Sequence, residues 1–465
     1  MNNVGGRRPI WLAGPRSGSF RGAARVLTQL VLILIAESSV VMAADEPAAG
    51  QGAGGIPTRI TLRSSHFALR TDLPRPEAEE TLSRMEASLK QAVRYWRREP
   101  RGQIACYVVD DLNHWPDSAL PHPLARVWVG GVGGATISEF TNVQGKIRVK
   151  ATVYALARPG IAEHEVIHAY CYQTFGEGGP DWYKEGMAQL VSLHAADAAR
   201  VGCPEELVRV LDKSSPNRIR DLLQEGRFTR DISHAFGALL ANRSDPHRHV
   251  PMSDWTGQNA ETLRLAERHY VRSWALCHML LCNPNYAARF RALGDSFLTK
   301  GRDSFDTAFA SVSEEMAFEY AFFLDHVDVG YRVDLCRWDW QKRFFTLDEQ
   351  ESVSVRIEAA RGFQASGLKL QAGHRYGYAT TGSWGTSAER PATDASGDLH
   401  GSGRMVGAVM SKYQLDEPFE LGQQGEFVAA TSGNLYLRCR DAWNQLHDNQ
   451  GTIHVRFAPP SKRGR

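Results

Sequence analysis

The sequence has almost no charge bias: 54 Lys and Arg against 52 Asp and Glu leave a net +2. A salt-driven polyanion binder carries a large basic excess, so nucleic acid is not an expected partner. Beyond the first forty-three residues no run is apolar enough to cross a bilayer, which excludes a polytopic membrane protein. Among seven cysteines there is no Cys-x-x-Cys pair, and their spacings do not suit a cysteine-held zinc. No repeat recurs at solenoid periods. What is present is ordinary for a globular chain: 43% hydrophobic and 23% charged residues over 465 positions, room for two or three domains.

The N-terminus reads as a targeting segment. Arg7, Arg8, Arg16, Arg21 and Arg25 precede an apolar run from Val26 to Ala36, and Val41-Met42-Ala43 supplies the small residues of a cleavage site. The expectation is a signal peptide over residues 1–43 and a periplasmic or secreted mature protein with no stable membrane insertion. All seven cysteines follow that point, in a compartment that permits disulfides. Residues 44–58, rich in Ala and Gly, read as a flexible linker.

Globular patterning begins at residue 59. Leu82, Met85, Leu89, Val93 and Trp96 recur at helical spacing within 77–97. Ile104 to Val109 reads as a buried strand. Short strands are expected at Arg126–Val129, Lys146–Lys150 and Thr152–Leu156, and helices over 160–175, 181–200, 266–282 and 303–325. Near residue 350 the period changes to two: Val353, Val355 and Ile357, then Leu368 and Leu370, Tyr376 and Tyr378, Leu435 and Leu437, and Ile453, Val455 and Phe457 alternate with polar neighbours. Such alternation, with glycine-rich turns between, is the pattern of an antiparallel sandwich. The boundary is expected between residues 336 and 350.

The sharpest chemical signal is His164-Glu165-Val166-Ile167-His168. Residues four apart share a helix face, so both imidazoles can reach one metal ion, with Glu165 beside the water that completes its shell. Catalytic zinc takes three protein ligands and keeps a position open. Glu185, seventeen residues after His168, offers the third, with Asp181 and His194 as alternatives. Gly176, Gly178 and Gly179 let the helix that carries Glu185 fold back, and Gly186 permits close packing there. Thr152-Val153-Tyr154-Ala155 is a candidate edge strand for holding an extended peptide. An oxyanion donor is sought in Tyr270, with Tyr183 and His194 as rivals and plain packing as Tyr270's other reading.

The run His164–His168, followed by Trp182-Tyr183-Lys184-Glu185-Gly186-Met187-Ala188, resembles the gluzincin metallopeptidases, and within them a group of exported bacterial peptidase-like proteins. The likeness extends over about residues 60–330, including His66-Phe67-Ala68-Leu69. It implies a zincin-like domain over 59–340, Zn²⁺ bound by His164, His168 and Glu185, Glu165 as general base for a metal-activated water, and a peptide or protein substrate.

A second resemblance lies in residues 353–458, which are similar to the small calcium-dependent galactose-binding lectins of the LecA type. Gly367-Leu368-Lys369-Leu370, Gly382-Ser383-Trp384-Gly385, Gly433-Asn434-Leu435-Tyr436-Leu437 and the stretch from Arg440-Asp441 to Asp448-Asn449-Gln450-Gly451 carry it. It implies a β-sandwich over 350–460 and Ca²⁺ held by Asp441, the Gln445 carbonyl, Asp448 and Asn449, with a carbonyl from Trp384. The chain departs from that family at Arg440, where a neutral residue is usual, and over 386–402, where the sugar-contacting loop does not align.

Together these give an α+β zincin-like metallopeptidase domain followed by an all-β sandwich, in an exported zinc peptidase with a lectin-like accessory domain. Two other readings remain: a non-catalytic, glycan-binding surface protein that uses the sandwich, and a zinc amidase acting on cell-wall material.

Overall fold

The structure is a computed structural model that describes residues 59–144, 146–194, 205–211, 218–224, 258–348 and 351–460. The expected signal peptide and linker, Cys203, and the C-terminal end of the 181–200 helix lie outside these residues.

The first part of the chain builds one mixed sheet covered by helices. Strands β1 (Ile60–Arg63) and β2 (Phe67–Thr71) form an antiparallel pair. Helix α1 (Arg75–Trp96) follows and buries Ala78, Met85, Leu89, Ala92 and Trp96, positions that share one face. Strand β3 (Ile104–Val109) then returns parallel to β2. The sheet order is β1-β2-β3-β5-β4, with β5 (Lys146–Leu156) parallel to β3 and β4 (Gly134–Val143) antiparallel to β5.

Three expectations are corrected here. Arg126–Val129 is not a strand but part of helix α2 (Ala125–Val132). Ala125, Trp128 and Val129 are buried, at the three- and four-residue spacing of a helix face. The segment Thr152–Ala155 is not at the edge. It lies inside the sheet between β3 and β4, and β4 takes the edge, because the β4–β5 hairpin folds outward. The two short strands expected over 146–156 are one.

Helix α3 (Ile161–Phe175) crosses this sheet, buried from Ile161 to Thr174. Its start is fixed by Glu163, whose carboxylate accepts from the Gly160 amide at 2.9 Å and from Arg84 Nε at 2.6 Å. Gly176 and Gly179, at φ +83° and +82°, turn the chain into α4 (Asp181–His194), as the glycine-rich loop predicts. Short helices α5 (Glu205–Val210) and α6 (Arg218–Gln224) follow, then α7 (Gln258–Cys282), α8 (Ala287–Leu298), α9 (Phe305–Phe309) and α10 (Ser313–His326). The stretch expected as one helix over 303–325 is thus broken by a 3-10 turn at Ala310–Val312.

The C-terminal part has two antiparallel sheets. One contains β6 (Val353–Glu358), β8 (Arg375–Gly385), β12 (Gln424–Val428) and β14 (Gln450–Ala458). The other contains β7 (Gln364–Leu370), β9 (Met405–Ser411), β10 (Gln414–Leu415), β11 (Phe419–Leu421) and β13 (Gly433–Cys439). Ile357, Ile453 and Phe457 from the first meet Leu368, Leu370, Leu435 and Leu437 from the second in one core, which makes the pair a sandwich. The alternating residues read from the sequence are the ones that fill it. Aromatic side chains join the two parts: Trp338, Phe363 and Tyr436 cluster with Phe318 and Phe322 of α10. The six described cysteines are free thiols.

Candidate metal centre

Helices α3 and α4 bring three donor atoms together. His164 Nε2 lies 2.8 Å from His168 Nε2, and Glu185 Oε2 lies 3.4 Å from the first and 3.3 Å from the second. All three side chains are buried. Ligand atoms at ~2.0–2.2 Å around a tetrahedral zinc stand about 3.3 Å apart, so this triangle fits one such ion with a position left open. Among the described residues this is the cluster of His, Cys, Asp or Glu able to share a metal.

The alternatives for the third donor fare differently. Asp181 turns to Lys184, 3.2 Å from its ammonium. The side chain of His194 lies outside what is described.

The electrostatics suit a cation. Burial pulls the His168 imidazole down to about 4, against the pull of the facing Glu185, which leaves a neutral ring with a lone pair. Burial works against ionisation of Glu185, but His168, His164 and the nearby Lys184 ammonium outweigh it, and the carboxyl is held below the usual carboxylate range. The neutral His168 ring, the His164 ring beside it and the Glu185 carboxylate form a donor set suited to a divalent ion.

Two supporting residues were not found from the sequence. Gln189 Oε1 sits 3.1 Å from His164 Nδ1. An amide oxygen only accepts, so the Nδ1 carries the proton and Nε2 is free for a metal. Thr136 of β4 donates its hydroxyl to Glu165 Oε2 at 2.7 Å. The other oxygen, Oε1, is buried and makes no hydrogen bond with the described residues. Burial, and then the negative charge of Glu185, raises the Glu165 pKa well above the usual range, with the Thr136 bond opposing. Gly134 opens β4 against this carboxylate: a Cβ there would stand 2.7 Å from Ile161 Cγ2 and 3.3 Å from Glu165 Cγ.

Tyr270 of α7 lies edge-on to His164, ring centroids 6.3 Å apart at 68°. Burial, with Glu185 and Glu165 nearby, holds its hydroxyl protonated far above the usual range. Tyr183 is excluded as a rival, because its hydroxyl accepts from Trp96 Nε1 at 3.1 Å and abuts Gly294 in the core. Gly186 does what its position predicts, though against a helix: a Cβ there would overlap the Ser273 carbonyl of α7 and stand 2.5 Å from Cys277 Sγ.

In the sandwich, the loop after β13 gathers Asp441, Asp448 and Asn449. Asp441 Oδ2, Asp448 Oδ1 and Asn449 Oδ1 are all buried and without hydrogen bonds among the described residues. Asn449 Nδ2 donates to the Ala359 carbonyl at 3.1 Å, which fixes the direction of its oxygen. Burial raises the Asp441 pKa and the neighbouring Asp448 adds to it, with the Ala442 amide and the Asn449 side-chain amide opposing. The Gln445 carbonyl has only a long contact, 3.4 Å from the Asp448 amide. The Trp384 carbonyl accepts from the Thr393 amide at 2.8 Å, so one of its lone pairs is used. Oxygen donors crowded without protons to share are the chemistry of a hard cation site.

No family model matches the chain, and no curated protein matches it. Among solved structures the chain is similar to one described as "EclA N-terminal domain; PllA-like lectin", at 19% identity over 23% of this chain and 94% of that chain, with a TM-score of 0.19.

Proposed function

We propose that the chain is an exported zinc-dependent peptidase that carries a lectin-like accessory sandwich. The observation that supports this most strongly is the convergence of His164, His168 and Glu185 beside Glu165. Those three residues would hold a zinc ion, which when bound would supply a Lewis acid able to polarise a carbonyl and lower the pKa of a water.

The chain's own residues would do the rest. β4 is the last strand of the sheet among the described residues and runs beside Glu165, so its outer edge would pair with an extended peptide, the role expected of Thr152–Ala155. Thr136 anchors Glu165 through Oε2, which leaves Oε1 to take a proton from water and pass it to the leaving amine. Tyr270, held protonated, donates to the carbonyl oxygen as negative charge grows there.

The test is Glu165→Gln in the full-length protein, assayed on a peptide library beside cell-wall fragments. Retention of metal with loss of peptide hydrolysis supports the reading. Cleavage of the cell-wall material alone would move the substrate to the amidase alternative. Unchanged hydrolysis in the variant would remove Glu165 from the mechanism.

A second reading concerns the sandwich, and the convergence of Asp441 Oδ2, Asp448 Oδ1 and Asn449 Oδ1, each buried and without a geometric hydrogen bond among the described residues, favours it. They would hold Ca²⁺, and through it a carbohydrate. A glycan array probed with and without calcium tests the carbohydrate part.

A further inference from the structure

Between the helical part and the sandwich lies a cleft of about 640 Å³, lined by α8, the segment from Arg337 to Lys342, β6 and the start of β7. Its walls carry five cations and three carboxylates. One opposite pair is spent internally. Arg361 Nη2 donates to Asp339 Oδ1 at 2.8 Å, and Asp339 Oδ2 accepts from the Ala365 amide.

The other cations behave differently. Among the described residues Arg289 donates only to the Ala308 carbonyl, at 3.3 Å. Arg337, Lys342 and Arg356 are exposed and have no ion pair or hydrogen bond from their side chains among the described residues. Among the described residues, four cations therefore share one concave surface with Glu315 and Glu358, and the buried Glu319 carboxylate stands behind the wall, held by Asn285, Tyr286 and Trp340. The whole chain is near neutral, so this excess is local. Like charges lining a cleft repel one another and focus a positive field into it. Cations that served only to hold the fold would be expected to pair as Arg361 does.

The cleft has a rigid wall. Trp340 donates Nε1 to Glu319 at 2.6 Å, and its ring stacks on Trp338 with centroids 5.9 Å apart. Guanidinium forks on a fixed wall match tetrahedral oxyanions, which take two parallel N–H bonds.

We propose that this cleft binds a compact oligoanion, a ligand presenting two or more phosphate or sulfate groups. The site is separate from the metal centre and does not depend on the peptidase reading.

The experiment is calorimetric titration of the full-length protein with inorganic tripolyphosphate and with a sulfated tetrasaccharide from heparin, at low and high salt. Maltotetraose serves as the neutral control. At least one anion should bind, more weakly at high salt, while maltotetraose does not. Arg337→Ala with Arg356→Ala should weaken binding about tenfold or more, since charge-assisted hydrogen bonds are lost. Both side chains are exposed, so melting should be unchanged; if the double variant melts early, Arg356→Gln gives the same reading with its side-chain stem kept. Equal binding of the two probes assigns the site to the anion alone, and preference for the tetrasaccharide assigns it to a sulfated glycan. Failure of both probes to bind the wild type, or unchanged affinity in a folded variant, overturns the proposal.

Discussion

Gln189 and His164 face each other across the α3–α4 pair, side-chain oxygen to Nδ1 at 3.1 Å. Gln189 stands four residues after Glu185, so one face of α4 supplies both a candidate metal donor and the partner that orients a second candidate.

That relationship makes a prediction. Gln189→Ala frees the His164 ring to turn and to move its proton. Zinc affinity should fall by about tenfold or more, as for other partners of metal-bound histidines. Competition with a chromophoric chelator measures it, and melting checks the fold. Unaltered affinity would mean that the ring is held by packing alone.

Gly186 sets how closely α4 approaches α7. Gly186→Ala drives a methyl group into the Ser273 carbonyl and Cys277 Sγ, in a place where backbone cannot yield cheaply. Overpacking of this kind destabilises by about 1–3 kcal/mol. Urea denaturation of wild type and variant should show that loss, and a neutral result would show that the helices can part without penalty.

Asp72 predicts a pH dependence away from the metal centre. Its carboxylate accepts from the amides of Asp110 at 2.7 Å and Asp111 at 3.1 Å. Burial opposes ionisation, but these amides prevail and the pKa lies below the usual range. A depressed folded-state pKa gives stability that is present above the unfolded value and is lost as pH falls through the folded one. Asp72→Asn should therefore cost about 2 kcal/mol at neutral pH. The gap from wild type should close below about pH 4. A gap that persisted unchanged in acid would assign the loss to shape and not to charge.

The oxygens of Asp441, Asp448 and Asn449 predict a calcium response. Millimolar Ca²⁺ should raise the melting temperature of the full-length protein, and Asp441→Asn with Asp448→Asn should erase the shift. Equal melting with Ca²⁺ and with chelator in the wild type would leave the loop as a plain turn.

The legible parts of this chain are those with a local signature. The five alternating segments of the sandwich show their period directly, and His164, Glu165 and His168 declare a shared helix face within five residues. Glu185 was reachable because a glycine-rich turn and a helix start precede it. Gln189 carries a signal in the four-residue step from Glu185, which places both on one helix face. Thr136 had none, because its contact with Glu165 depends on how β4 pairs with β5. Strand order is a property of the whole sheet, which is why Thr152–Ala155 was expected at the edge. The short run Arg126–Val129 is ambiguous between periods, and only its burial among Leu112, Trp115 and Tyr154 decides for a helix.

Metal content is the most direct test of the central claim. Purified full-length protein, loaded with zinc and dialysed, should retain about one zinc per chain by mass spectrometry. Glu165→Gln should keep it, and His168→Ala and Glu185→Ala should each lose it while remaining folded. A wild type that retains no zinc, or a folded His168→Ala variant that retains as much as wild type, would contradict the account.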